Sequence, residues 1–190
     1  MSNMPNEIQE VFDKLHNEIL WLCASWAVYK DLFVQPEKRI DLLRESGEYF
    51  FYIIRGALLD NIIGVLNNLA DPAKSGKFEN CSLKQLQNLT NDQDIPGNIS
   101  GKLQKIITQL HDKSGKKGSP LRMYRNRVLN HFELKTSLGK GSVPNISIET
   151  IEESLSLIKA FLNTRSCSFS YLTEFKRNYR AKVTFEYSTK

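Results

Sequence analysis

Eight apolar residues near the start of the chain, Ile8, Phe12, Leu15, Ile19, Leu22, Trp26, Tyr29 and Phe33, are separated by steps that alternate four and three. An α-helix brings such positions into one line, and that line is the seam along which helices pack side by side. A helix over residues 6–33 therefore commits the chain to a helical assembly. Two arrangements cover the seam: a bundle made within the chain, or a second copy of the same helix. Later segments offer matching apolar faces, which is what an intrachain bundle needs.

Pro36 marks the start of a second helix, and Asp71-Pro72 marks its end. From Tyr49 to Leu69 this helix is apolar almost all round, with Phe50, Phe51, Ile53, Ile54, Leu58, Leu59, Ile62, Ile63, Val65 and Leu66. Such a helix is expected to be covered on most sides. Gly47, Gly56 and Gly64 lower helix propensity, which suggests that a neighbour packs closely there. Arg55 and Asp60 interrupt the apolar run and need partners if buried. Either they pair within the core, or Asp60 reaches toward the stretch that holds His131.

Ser82-Leu-Lys-Gln85 has the pattern of a capping box and predicts a short helix to about residue 89. Leu103, Ile106, Ile107 and Leu110 share a face over 99–111, and Ile151, Leu155, Ile158, Leu162 and Phe169 share one over 148–172. Ser147 is placed to cap the latter. The fold class is all-α: an up-and-down bundle of four main helices plus short ones. Residues 1–175 form one domain, since 190 residues can bury a sizeable single core. Residues 176–190 form a basic tail whose Val183, Phe185 and Tyr187 alternate with polar residues, as in a strand.

Composition narrows the function. Cys23, Cys81 and Cys167 are widely spaced and form no CxxC pair, so neither a disulfide framework nor a zinc knuckle is suggested. His16, His111 and His131 lie on separate elements, without metal-ligand spacing. No Gly-x4-Gly-Lys-Ser/Thr loop occurs, and no cofactor is implied. The first residues resemble no secretion signal, and the apolar run 20–29 is too short to span a bilayer, so a cytoplasmic protein without a membrane segment is expected. The net charge of +5 is uneven. Residues 1–95 carry 9 Lys/Arg against 14 Asp/Glu, and residues 96–190 carry 17 against 7. A surface with one basic half attracts polyanions.

The basic half contains Ser119-Pro-Leu-Arg-Met-Tyr-Arg-Asn-Arg-Val-Leu-Asn-His131-Phe-Glu-Leu134. Ser119 suits a helix N-cap and Pro120 the first helical position. Arg125, Asn126 and His131 bring together a fixed cation, an amide and an imidazole able to move a proton near neutral pH. These are the parts needed to cleave a phosphodiester without a metal. Residues six apart on an α-helix sit about 120° apart, whereas Arg127, four before His131, shares its face better. Arg125 meets His131 only if its side chain wraps around or if a second chain completes the site. Arg122, Arg127, Lys116 and Lys117 are candidate contacts for RNA phosphates, as is Lys113 in the basic loop 112–119.

The stretch Arg125-Asn126-Arg127-Val128-Leu129-Asn130-His131 resembles the Arg-polar-x(3–5)-His signature of the HEPN superfamily (higher eukaryotes and prokaryotes nucleotide-binding). Tyr49-Phe-Phe-Tyr-Ile-Ile-Arg-Gly-Ala-Leu-Leu-Asp-Asn61, with Leu66-Asn-Asn-Leu-Ala-Asp-Pro72, resembles the second helix of its AbiU-like abortive-infection branch. With the helix order, the resemblance spans roughly residues 5–172. It implies a metal-independent endoribonuclease with a composite cleft between two copies, in which Arg125, Asn126 and His131 are catalytic. It also implies an alternative, a catalytically silent nucleotide- or partner-binding module of a defence or toxin–antitoxin system. An antitoxin or nucleotidyltransferase partner fits either expectation.

Overall fold

A computed structural model describes residues 5–91, 99–130 and 133–162. The expectations for His131, Cys167, the end of the last helix with Phe169, and the 176–190 tail lie outside the described residues.

The seam residues fold as expected. Helix α1 (Asn6–Phe33) buries Ile8, Phe12, Leu15, Ile19, Leu22, Trp26 and Tyr29, with Phe33 packed at the margin. Burying each such side chain stabilises the fold by about 1.5–3 kcal/mol relative to leaving it in water. The cover comes from within the chain. Helix α2 (Glu37–Leu69), α3 (Leu83–Asn91) and α7 (Ile148–Leu162) all pack on α1, and α4 (Ile99–Leu110) joins α3 to α7. Phe12 meets Phe161 with ring centroids 5.1 Å apart, and Trp26 stacks on Tyr29. Ile151, Leu155, Ile158 and Phe161 close the core from α7.

The caps fall where the residue types place them. The amide of Gln85 donates to Ser82 Oγ at 3.3 Å, and that of Thr150 donates to Ser147 Oγ at 3.2 Å. Pro36 precedes α2 and Pro72 follows it. Between the helices lies a small hairpin that apolar patterning does not reveal. Strands β1 (Lys74–Ser75) and β2 (Phe78–Glu79) pair antiparallel around Gly76, whose φ of 60° favours glycine.

Helix α2 departs from expectation. Its second half buries Ile62, Ile63, Leu66 and Leu69. Its first half is not covered: Tyr49, Phe50, Tyr52 and Ile53 are 82%, 61%, 77% and 65% exposed. Gly47, at φ 162° and ψ 71°, interrupts the helical winding. The apolar pattern marks which residues seek cover, and the described chain buries them fully only beyond Asp60, with Leu58 and Leu59 partly buried against the core. Nor is Arg55 a buried charge, since it is exposed. By length and composition α2 is apolar enough to cross a membrane, with a mean hydropathy of 1.4 over 18 residues. The segment that meets the length and hydropathy of a membrane span is therefore α2, and not the run 20–29.

The loop expected over 112–119 begins instead as a wide helical turn, His111–Gly115, with Ser114 buried and its hydroxyl donating to the Leu110 carbonyl. A Cβ at Gly115 would lie 2.8 Å from the His111 ring and 3.2 Å from the Ala70 carbonyl oxygen. The close approach of this turn to the end of α2 thus favours glycine. Helix α5 (Pro120–Tyr124) follows, then a second wide turn, Arg125–Asn130, and the short α6 (Leu134–Ser137).

Candidate functional site: two arginines on one carboxylate

Ser119 caps α5 by accepting the Arg122 amide, and Pro120 occupies the first turn, where a missing N–H costs nothing. The α-helical winding lasts only to Tyr124. Residues 125–130 are wound with i→i+5 hydrogen bonding, so the expectation of one regular helix across the stretch is corrected. The four-residue spacing that favours Arg127 over Arg125 holds for an α-helix and does not hold here.

Both α5 and the wide turn after it pack on α2. Asn67, fully buried, fastens them: its Nδ2 donates to the Ile63 carbonyl at 2.8 Å and to the Leu121 carbonyl at 3.1 Å. Its Oδ1 is buried without a hydrogen-bond partner among the described residues. One turn further along, Pro72 stops α2 and leaves Asp71 just past its end. There Arg122 Nη1 donates to Asp71 Oδ1 at 2.7 Å, and Arg125 Nη1 donates to the same oxygen at 2.9 Å. Arg122 Nε also donates to the Gly115 carbonyl at 3.3 Å. All three charged side chains are largely buried, with 13–20% of their surface exposed.

The charges explain the arrangement. Two guanidiniums about 5 Å apart repel by about 3 kcal/mol at an effective dielectric near 20, and one shared carboxylate more than offsets this. The exposed carbonyls at the end of α2 add a favourable field for cations. The cluster keeps a net positive charge.

Asp71 lines two clefts. One, of about 380 Å³, is lined by Lys14, Glu18, Asn68, Asn80 and Cys81 together with Arg125. The other, of about 600 Å³, is lined by Lys84, Gln104, Thr108, His111 and Asp112 together with Arg122. Cys81 is a free, exposed cysteine; partial burial of its thiol raises the pKa, with Lys14 pulling the other way. Among the described residues no group of three or more His, Cys, Asp or Glu is arranged to hold a metal ion.

Asp60 finds its partner in Tyr124, which packs against the core. The Tyr124 hydroxyl donates to Asp60 Oδ1 at 2.7 Å. Burial first, then this hydrogen bond, push the Tyr124 phenol well above its ordinary pKa.

The other expected contacts are dispersed. Asn126 is exposed beside Arg125. Arg127 donates to the Ser142 carbonyl at 3.3 Å and lies 3.6 Å from the Glu133 carboxylate. Lys113 is paired with Glu153 on α7, and Lys116 and Lys117 are exposed and form no ion pair among the described residues. The structure thus joins Arg122 and Arg125 but leaves Arg127 and the lysines elsewhere. Sequence reasoning misses Asp71 and Asn67 as site residues. In the sequence Asp71 reads only as a helix stop, although both stand in the run Leu66–Pro72.

The sequence profile described as AbiU2, within the HEPN group, matches residues 5–166. No curated protein and no solved structure matches the chain. The matched span contains every described helix, the Asp71 cluster and the Arg-Asn…His stretch, and an all-α bundle is the architecture found. The chain belongs to the AbiU2 family of HEPN domains.

Proposed function

We propose that the chain is a metal-independent endoribonuclease of the abortive-infection type, acting in the cytoplasm as a homodimer. The observation that carries the proposal is the pair of arginines held by Asp71 at the rims of two clefts, directly before the residues that lead to His131. Cleavage proceeds by attack of a ribose 2′-OH on the adjacent phosphorus, with departure of the 5′-oxygen. His131 takes the proton from the 2′-OH or gives one to the leaving oxygen, and an imidazole with an unperturbed pKa near 6.5 suits either transfer. Arg125 neutralises charge that builds on the phosphorane oxygens. Asn126 orients the imidazole or binds a phosphate oxygen. Arg122 adds a second cation, and Arg127, Lys116 and Lys117 extend the contact to neighbouring phosphates. The need for a 2′-OH makes RNA the substrate. One imidazole serves one transfer at a time, and a two-fold pair of chains brings a base and an acid to one cleft.

One observation favours a second reading. Asp71 already occupies both guanidiniums, as a purely structural cluster also would. On that reading the chain is a silent nucleotide- or partner-binding module, and an antitoxin or nucleotidyltransferase supplies the activity. The test is RNA cleavage with chelator present. The nuclease loses at least a hundredfold in rate in His131→Ala and in Arg125→Ala, and its expression slows host growth until Arg125→Ala relieves it. Equal cleavage by wild type and His131→Ala, or none by either, refutes the nuclease.

A further inference from the structure

The hairpin between α2 and α3 lies outside the hydrophobic core, with both strands exposed, yet it is firmly tied. Asn80 does the tying. Its backbone amide donates to the Ala73 carbonyl at 2.8 Å, and its Nδ2 donates to the Pro72 carbonyl and to Ser75 Oγ, each at 2.8 Å. Ala73 is buried and anchors the first arm. Lys74 and Glu79 face each other across the strands and pair at 2.9 Å. The hairpin also springs from the site itself. Asp71 and Pro72, which lead into it, line the cleft that holds Arg122. Asn80 and Cys81, which leave it, line the cleft that holds Arg125.

Phe78 stands two residues before Asn80, about 7 Å of extended chain, and is 65% exposed. A lone exposed apolar residue is ordinary. This one differs in its company. Lys77 holds its Nζ 5.3 Å from the centroid of the ring and has no carboxylate partner among the described residues. An ammonium over one face of a ring leaves the opposite face for another flat group. The size of the surface narrows what that group is. A phenyl side chain of about 200 Å² leaves about 130 Å² in water at this exposure. That is about a sixth of the roughly 800 Å² that a stable protein contact takes from each partner. It suits a single base. An aromatic face with a cation beside it is the pairing that holds an unpaired base next to its phosphate. The fixed hairpin spares the ligand the cost of ordering the ring.

We propose that Phe78 is a stacking platform for one base of the bound RNA, a base that lies outside both clefts, and that Lys77 meets the phosphate of the same nucleotide. A strand whose phosphate sits at Arg125 passes the hairpin on leaving the cleft, because Asn80 and Cys81 form part of that cleft's wall. The strand is unpaired at this point. In a duplex both faces of a base are stacked on neighbours, and none is left for the ring. The platform supplies what the arginines and lysines of the site do not, an apolar face for a base. The proposal rests on the part of the nuclease reading that lays RNA against Arg125, and it names a further contact of that substrate.

The test is binding by the full chain, read from the fluorescence anisotropy of a short labelled RNA whose 2′-oxygens are all methylated, so that no cleavage intervenes. Wild type binds the single strand. Phe78→Ala and Phe78→Leu each weaken binding about tenfold, the worth of one stacked base. Phe78→Tyr keeps the affinity, because it keeps the ring. All three variants melt as wild type does, since residue 78 lies in water. Annealed to its complement, the same RNA binds wild type and Phe78→Ala equally. A leucine variant that binds as tightly as wild type overturns the proposal, since it leaves the ring no role. An alanine variant that binds as wild type overturns it too, even where the hairpin is then found to dock a protein. So does a wild type that binds no RNA. A platform that behaves as stated, in a chain that leaves unmethylated RNA uncut, sinks the nuclease and leaves the platform standing.

Discussion

At the scale of single residues, Asp71 does what neither arginine can do alone. It lies largely buried between two guanidiniums and accepts from both through one oxygen. Replacing it with alanine leaves two like charges facing each other out of water. Asp71→Ala is expected to lower the free energy of unfolding by about 3 kcal/mol, read from urea titration. Asp71→Ala combined with Arg122→Met loses less than the sum of the single changes, since the second removes a charge that the first left unpaired. Tyr124 gives a pH test. Its phenol titrates higher in the folded chain than unfolded, because burial and Asp60 both favour the protonated form. That contribution is fully present below the unfolded pKa of about 10 and is lost as pH rises above it toward the folded value. Wild type should therefore lose stability above about pH 10, and Tyr124→Phe should lose less. Equal slopes for the two proteins above that pH would contradict the hydrogen bond.

At the scale of elements, one close approach positions the site. The wide turn His111–Gly115 sits against the end of α2 because residue 115 has no side chain. Gly115→Ala is expected to cost about 2 kcal/mol in thermal unfolding, and His111→Ala should recover part of that cost while the Ala70 contact remains. The α1 seam is legible in the sequence because periodicity is a local property and its cover lies within the chain. The caps at Ser82, Ser119 and Ser147 are legible because a hydroxyl before a helix satisfies an amide three residues on. The wide turns at 111–115 and 125–130 are not, since a change in winding leaves no mark on apolar spacing. Nor is the Asp71 cluster. Its acid and its bases lie about fifty residues apart, and only the packing of α5 on α2 brings them together. The exposed half of α2 shows the limit of pattern reading: Tyr49, Tyr52 and Ile53 announce a need for cover and are silent about what supplies it.

At the scale of the whole molecule, the uneven charge and the Arg-Asn…His stretch lie in the same half of the sequence. RNA binding should weaken with salt, and replacing Lys116 and Lys117 with glutamine should reduce the slope of log K against log salt by about 1.4, or about 0.7 for each phosphate no longer neutralised. An unchanged slope would remove both lysines from the interface. The helical fold and the family agree on an α-bundle, and the proposed activity turns on what happens at one phosphate. The most direct test is the chemistry of the cut ends after incubating RNA with the chain in the presence of chelator. In-line attack by the 2′-OH, served by His131 and Arg125, predicts a 2′,3′-cyclic phosphate on one product and a free 5′-hydroxyl on the other, and no cut where the 2′-OH is replaced by hydrogen. Products with a 5′-phosphate, or cleavage that survives at a 2′-deoxy position, would contradict the account.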